Sequence, residues 1–238
     1  YQPQYQPQYQ PQYQPQYQPQ YQYTGNTHRN THRNTVTDMA TQGSNTEFSS
    51  IVDYTDRSTC ILFGDGAGAA MISATSNKEE GFIDLHASAD GSYADFLVTP
   101  APGAIHPASQ KVIDEGLNFV QMKGNETFKL AVKTLTKDVK EILAKNEIAS
   151  DSIPHFIPHQ ANYRIIKAVG DALKMKEEQV VLTVGKFGNT SAASIPMAIN
   201  DSWESGRIKS GDLMLLDTFG GGLTWASALL PFAGKANN

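Results

Sequence analysis

The chain has 238 residues, a mass of 26.0 kDa and a formal charge of −5 at pH 7, which allows one large domain or two small ones. That balance offers no broad basic surface and argues against nucleic-acid binding. No apolar run reaches the length of a membrane span, no charged-then-apolar leader opens the chain, and the single cysteine, Cys60, permits no intramolecular disulfide framework. A reducing cytoplasm suits such a chain.

Residues 1–20 repeat Tyr-Gln-Pro-Gln five times, and residues 26–33 repeat Asn-Thr-His-Arg twice. Proline at every fourth position denies helix and sheet their backbone donors, and the tract supplies no aliphatic core. Residues 1–48 are therefore predicted to be a disordered low-complexity tail, partly polyproline II in character. His28 and His32 have the spacing of a metal clamp on a helix, but nothing there supports a helix, and no metal site is assigned.

From Ser49 the character changes, and residues 49–233 read as one folded domain ending in a short tail, 234–238. Thr59 to Phe63 is a buried-strand pattern running into Gly64-Asp65-Gly66-Ala67-Gly68, with a second apolar run from Ala69 to Ile72. The glycines lack the lysine of a phosphate loop and no long helix follows them. Two strands joined where backbones pack too closely for side chains is the better reading, with Asp65 bonded to its own turn and Cys60 an inert thiol inside a strand. Residues 81–88 read as a further strand and 92–118 as irregular with short helical pieces. Asn125 then caps a long amphipathic helix through Lys145, whose apolar face includes Phe128, Leu135, Val139 and Ile142. Glu141 and Lys145 are expected to pair on its solvent side.

Phe156, Ile157 and Pro158 form a strand that ends at His159, and a helix follows with Ile165, Ile166, Val169 and Leu173 on one face. His155 and His106 carry no motif and are placed on the surface or in loops. Residues 180–182 are a short strand, and 191–206 a helix entered through the Gly188-Asn189-Thr190-Ser191 turn. Residues 212–216 are a buried strand that runs on to Phe219-Gly220-Gly221-Gly222, and 223–230 are the last strand. Strands alternating with helices argue for a layered α/β domain. His159 and Asn189 both stand at strand-to-helix junctions, where two neutral donors can converge on one carbonyl oxygen and stabilise an enolate.

Five segments carry a resemblance: residues 63–68, Lys123-Gly124-Asn125-Glu126, Pro158-His159-Gln160-Ala161-Asn162, Gly188 to Ser194, and Phe219 to Gly222 with Thr224-Trp225. In this order, and across about 180 residues, they resemble the C-terminal half of the 3-oxoacyl-acyl-carrier-protein synthase III family. The resemblance implies a thiolase-like fold with a mixed five-stranded sheet and helices. It also implies a decarboxylative condensation of acyl-coenzyme A with malonyl-acyl-carrier protein in the cytoplasm.

Under that resemblance, His159 and Asn189 hold the malonyl thioester carbonyl, the Gly221 amide completes an oxyanion hole, and Phe219 walls the site. Gly124 and Asn125 match contacts to the coenzyme A pantetheine. Gln160, Ala161, Asn162, Tyr163 and Arg164 match the segment where acyl carrier protein docks, with Arg164 facing its acidic helix. The family is homodimeric and needs no cofactor or metal beyond its substrates. Its nucleophilic cysteine belongs to the N-terminal half, in an Ala-Cys-Ala or Ala-Cys-Ser motif that this sequence lacks, so no nucleophile is assigned and this chain by itself is expected to be inactive in condensation. Two other functions stay open: a non-catalytic module that binds acyl carrier protein or coenzyme A, and a structural protein led by its Tyr/Gln tract.

Overall fold

The computed structural model describes residues 39–234, apart from Ala74, Ser76, Lys78 and Glu79. Both tetrapeptide repeats, with His28 and His32, and residues 235–238 lie outside them. Strand structure is already present before the predicted boundary at Ser49. Strand β1 (Met39–Thr46) pairs antiparallel with β2 (Gly66–Ser73), from Met39 opposite Ser73 to Thr46 opposite Gly66. The β1 sequence is polar and glycine-containing, so no alternation announces it; the ladder to β2 makes it a strand.

The stretch predicted as a strand before Gly64 is instead a run of hydrogen-bonded turns. The Asp53 carboxylate accepts the Thr55 N–H and hydroxyl, and the Asp56 carboxylate accepts from Ser58 and Thr59. Asp–x–Thr and Asp–x–Ser side chains bond the backbone two residues on and bend it, which here overrides the apolar run that follows. Cys60 accordingly sits half-buried in a turn, its N–H bonded to the Asp56 carbonyl. Only Phe63 makes a bridge, to Asn189, and Asp65 accepts the Ser49 N–H rather than bonding its own turn.

The close approach expected at the glycines is real, although they open one strand rather than join two. A Cβ on Gly64 would lie 2.5 Å from the Phe187 carbonyl oxygen, and one on Gly68 would lie 2.5 Å from Pro196 Cγ. Gly64→Ala forces backbone against backbone, so it is expected to lower the unfolding free energy by about 1–3 kcal/mol. A thermal melt of the purified variant checks this; an unchanged midpoint would show that the 187–189 turn gives way freely.

β3 (Asp84–Ala89) follows, then a 3₁₀ turn over Gly91–Phe96, β4 (Leu97–Val98), α1 (Gln110–Asp114) and β5 (Gln121–Met122), which pairs with β4. Helix α2 (Gly124–Lys145) starts one residue before the predicted cap. Lys123 holds the N-cap position without a side-chain bond, so Asn125 lies in the first turn. Ala131, Leu135, Val139 and Ile142 are buried, as their spacing predicts. The expected pairing is different: Glu141 faces Lys137 at 3.7 Å, while Lys145 reaches Asp84 at 2.8 Å.

β6 (His155–Pro158) leads to α3 (Tyr163–Ala172), α4 (Val184–Phe187), α5 (Ser194–Glu204), β7 (Leu213–Gly220) and β8 (Thr224–Pro231). The main sheet has the order β3-β8-β7-β6, antiparallel except for the parallel β6/β7 pair. It is mixed, as expected, but has four full strands. The strand expected at residues 180–182 contributes only a bridge from Val180 to Phe156. Phe156, Leu215 and Leu229 on one face pack under α2 and α3, while Ile157 and Met214 on the other join Ala198 of α5. A buried four-residue strand such as β6 thus serves both layers, because successive side chains point to opposite faces. Leu85, on the α5 side of the sheet, and Met71 of β2 stand more than half exposed.

His155 is buried, not a surface residue: its Nε2 lies 2.9 Å from Asp212 Oδ2. His106 is exposed in a loop, as expected.

Candidate active site

A cavity of about 570 Å³ opens where β6 and β7 end, between the β3/β8 ribbon and the turn before α5. His159, Ser191, Ala192, Phe219, Gly220 and Trp225 contribute to its wall. His159 lies one residue past β6, and its N–H donates to the Asp217 carbonyl at 2.6 Å, so the backbone is still tied to β7 where the side chain turns into the cavity. Its Nδ1 lies 2.6 Å from the hydroxyl oxygen of Ser194, the first residue of α5. Enclosure by the protein pulls the imidazole pKa from 6.5 down to about 4, because a charged ring would lose its water without gaining a counter-ion. The ring is neutral at pH 7.

Asn189 is one layer behind. Its backbone bonds Leu62 and Gly64 on the two sides of Phe63, and its Oδ1 accepts the Ser191 N–H at 2.9 Å. This Asx turn orients Ser191 and Ala192 into the wall, while Asn189 itself is not a lining residue. Its side-chain N–H groups have no protein partner among the described residues. Phe219 faces the cavity and packs against the α2/α3 core. Gly221 follows β7, where a Cβ would come within 3.2 Å of the Leu97 carbonyl; its neighbour Gly220, rather than Gly221, lines the cavity.

The docking segment divides. Gln160 is 1% exposed, and its amide is consumed by four backbone partners, so its side chain has no surface to offer a protein. Asn162 caps α3 by accepting the Ile165 N–H at 2.9 Å, and Ala161 packs against the core. Tyr163 and Arg164 are exposed, with the Arg164 guanidinium 5.1 Å from the centre of the Phe128 ring of α2. Gly124 and Asn125 are exposed at the start of that same helix, so the Phe128–Arg164 contact joins the two helix starts into one rim. Among the described residues no three His, Cys, Asp or Glu side chains are grouped to hold a metal.

Two features were not assigned from sequence. Ser194 lies within the Gly188–Ser194 motif, but nothing in the spacing links it to His159. Asp217 is fully buried in β7, with both carboxylate oxygens lacking a hydrogen-bond partner. An acidic residue in an otherwise apolar strand was the signal that could have found it.

The chain matches known proteins over most of its length. The family described as 3-oxoacyl-[acyl-carrier-protein (ACP)] synthase III C terminal matches residues 143–232, and 3-oxoacyl-[acyl-carrier-protein (ACP)] synthase III matches residues 43–91. The beta-ketoacyl-[acyl-carrier-protein] synthase III of Sulfurovum sp. (strain NBC37-1) is 90% identical over 190 residues, 80% of this chain and 56% of that one. The corresponding protein of Sulfurimonas denitrificans is 67% identical over 189 residues, 79% and 56%. The crystal structure of the synthase III from Pseudomonas aeruginosa PAO1 superposes with a TM-score of 0.76 at 37% identity, covering 84% of this chain and 61% of that one. The chain thus spans a little over half the length of the curated relatives it matches.

Proposed function

Because residues 43–232 belong to the 3-oxoacyl-[acyl-carrier-protein] synthase III family and share its thiolase-like α/β fold, we propose that they form the enolate-stabilising side of an initiating ketosynthase of fatty-acid synthesis. Malonyl carried on acyl carrier protein loses carbon dioxide, and the electron pair of the broken carbon–carbon bond enters an enolate that attacks an acyl group taken from acyl-coenzyme A. His159 donates a ring N–H to the malonyl thioester carbonyl, where charge develops. The observation that carries this reading is the neutral imidazole at the cavity wall: with a pKa of about 4 it is held unprotonated and donates without becoming an acid.

The resemblance makes Asn189 the second donor, through side-chain N–H groups without a protein partner among the described residues, although the residue stands one layer behind the wall. It makes the Gly221 amide, next to the lining Gly220, the donor to the acyl-transfer oxyanion. Phe219 screens the enolate from water. Gly124 and Asn125 border the pantetheine path. Tyr163 and Arg164 meet the acidic carrier protein, with Ala161 and Asn162 shaping the backbone that presents them. Action as a cytoplasmic homodimer without metal or cofactor completes the proposal; among the described residues no helix is long and apolar enough to cross a membrane. Cys60, the one cysteine of the chain, does not line the cavity, so no acyl transfer is assigned to it. That same fact favours a second reading, binding of acyl carrier protein or coenzyme A without turnover.

The test is malonyl-acyl-carrier protein decarboxylation by the purified chain, together with intact-mass analysis after exposure to acyl-coenzyme A. Slow decarboxylation is expected, falling roughly 10²–10³-fold in His159→Ala, with no acyl adduct. Equal rates in the two proteins would remove His159 from the mechanism, and an acyl thioester on Cys60 would make it the nucleophile. Carrier-protein binding with no decarboxylation would leave the second reading.

A further inference from the structure

We infer that Ser194 is a positioning residue that holds His159 in the tautomer with its proton on Nε2. Nδ1 and Ser194 Oγ are 2.6 Å apart, so one proton lies between them, and it belongs either to the ring or to the hydroxyl. A third group decides. The same Oγ accepts the backbone N–H of Gln160 at 3.2 Å, in a position only 2% exposed. If the ring donated, Oγ would receive two N–H groups, and the hydroxyl proton would be left in a buried place with no acceptor among the hydrogen bonds formed there. If the hydroxyl donates, all three groups are satisfied: Gln160 N–H to Oγ, and O–H to Nδ1.

The chain of bonds is rigid at both ends. Gln160 cannot swing away, because its amide is bound at Pro158 and Val181 on one side and at Thr183 and Val184 on the other. Ser194 opens α5, whose Ala198 is buried against the sheet. With Nδ1 occupied as an acceptor, Nε2–H is the group left to the cavity that His159 lines. Burial keeps the ring neutral, so it carries one proton and the hydrogen bonds around it decide which nitrogen holds that proton. The chemical use of that Nε2–H, donation to a thioester carbonyl, rests on the function proposed above; the tautomer itself does not.

The experiment is ¹⁵N imidazole NMR at pH 7 on the full chain labelled in histidine, with the His159 signals assigned by their loss in His159→Asn. A single Nε2–H tautomer is expected for the unmutated protein, and a mixture of both tautomers in Ser194→Ala. Decarboxylation by Ser194→Ala should fall about 10-fold at unchanged KM, the size expected when an outer hydrogen bond orienting an active-site imidazole is lost, and Ser194→Thr should restore both readouts. An Nδ1–H tautomer in the unmutated protein overturns the inference, as does an unchanged pure Nε2–H signal in Ser194→Ala. If Ser194→Ala fails to fold, Ser194→Cys, which keeps the volume with a poorer donor, is read in its place. Absence of decarboxylation in every protein, with the tautomers as expected, would remove the ketosynthase reading and leave the role of Ser194 standing.

Discussion

Replacing Gln160 by leucine is expected to lower the unfolding free energy by about 4 kcal/mol or more. The Gln160 Nε2 donates to the Pro158 carbonyl at 2.8 Å and the Val181 carbonyl at 3.1 Å. Its Oε1 accepts the N–H groups of Thr183 at 2.8 Å and Val184 at 3.0 Å. Leucine fills the space but strands two buried carbonyls, the buried Thr183 N–H and the part-buried Val184 N–H, and each unsatisfied buried group costs about 1–3 kcal/mol. Water reaching half of them still leaves a loss that is a large share of the roughly 5–15 kcal/mol that stabilises a typical domain. Urea unfolding measures it directly. A loss below about 1 kcal/mol would mean that the 181–184 loop finds other partners and that the Gln160 side chain is not what holds it. The effect should extend to the site, because the Gln160 backbone N–H also supports the Ser194 hydroxyl.

Asp217→Asn is expected to act in the opposite direction, raising stability at pH 7 by about 1–3 kcal/mol. One rung of the sheet is polar: His86, Ser227 and Asp217 lie side by side across β3, β8 and β7 on the face under α2. Asp138 of α2 comes down on that rung, with Oδ2 bonded to the Ser227 hydroxyl and Oδ1 3.8 Å from His86. Asp217 is left with no hydrogen-bond partner for either carboxylate oxygen. Burial, and then the neighbouring charge of Asp138, push its pKa well above the ordinary 3.8.

A group whose folded pKa is raised gives its full stability below the unfolded pKa and loses it as pH rises towards the folded value. Unfolding free energy should therefore decline as pH climbs from about 4, and Asp217→Asn should flatten that limb, its amide donating to Asp138 instead. His159 works at the other end: with its pKa lowered to about 4, stability falls as pH drops from 6.5 to that value, and this acid limb should survive in Asp217→Asn. For a chain of this size 1 kcal/mol is about 2–4 °C in Tm, so melts across pH 4–8 resolve both limbs. A variant less stable than the parent at pH 7, or one with the same slope, would show that Asp217 is not the buried acid responsible.

Much of the fold was readable because local spacing states which side of an element is apolar. The 3.6-residue period of Ala131, Leu135, Val139 and Ile142 needed no partner to be recognised, and the same holds for Ile165, Ile166 and Val169 of α3. His159 was placed at a strand end facing a site, and it lines the cavity. Where the reading failed, backbone chemistry outweighed pattern. Asp53 and Asp56 bent a stretch that looked like a strand, and the polar β1 became one only through its ladder to β2.

Sequence alone therefore determined the α/β class, the long helices, the family motifs and His159 as the residue of interest. The tertiary structure decided what those residues do. Gln160 was expected to meet a partner protein and is instead a buried clamp. Asn189 holds a turn, and Ser194 faces His159 from 35 positions away. Ser227 finds Asp138 across 89. A hydrogen bond between buried side chains carries no periodic trace in the chain, because its geometry exists only once two separate strands and a helix have packed. Apolar periodicity is written locally; polar pairing in the interior is settled by the sheet that brings the partners within 3 Å.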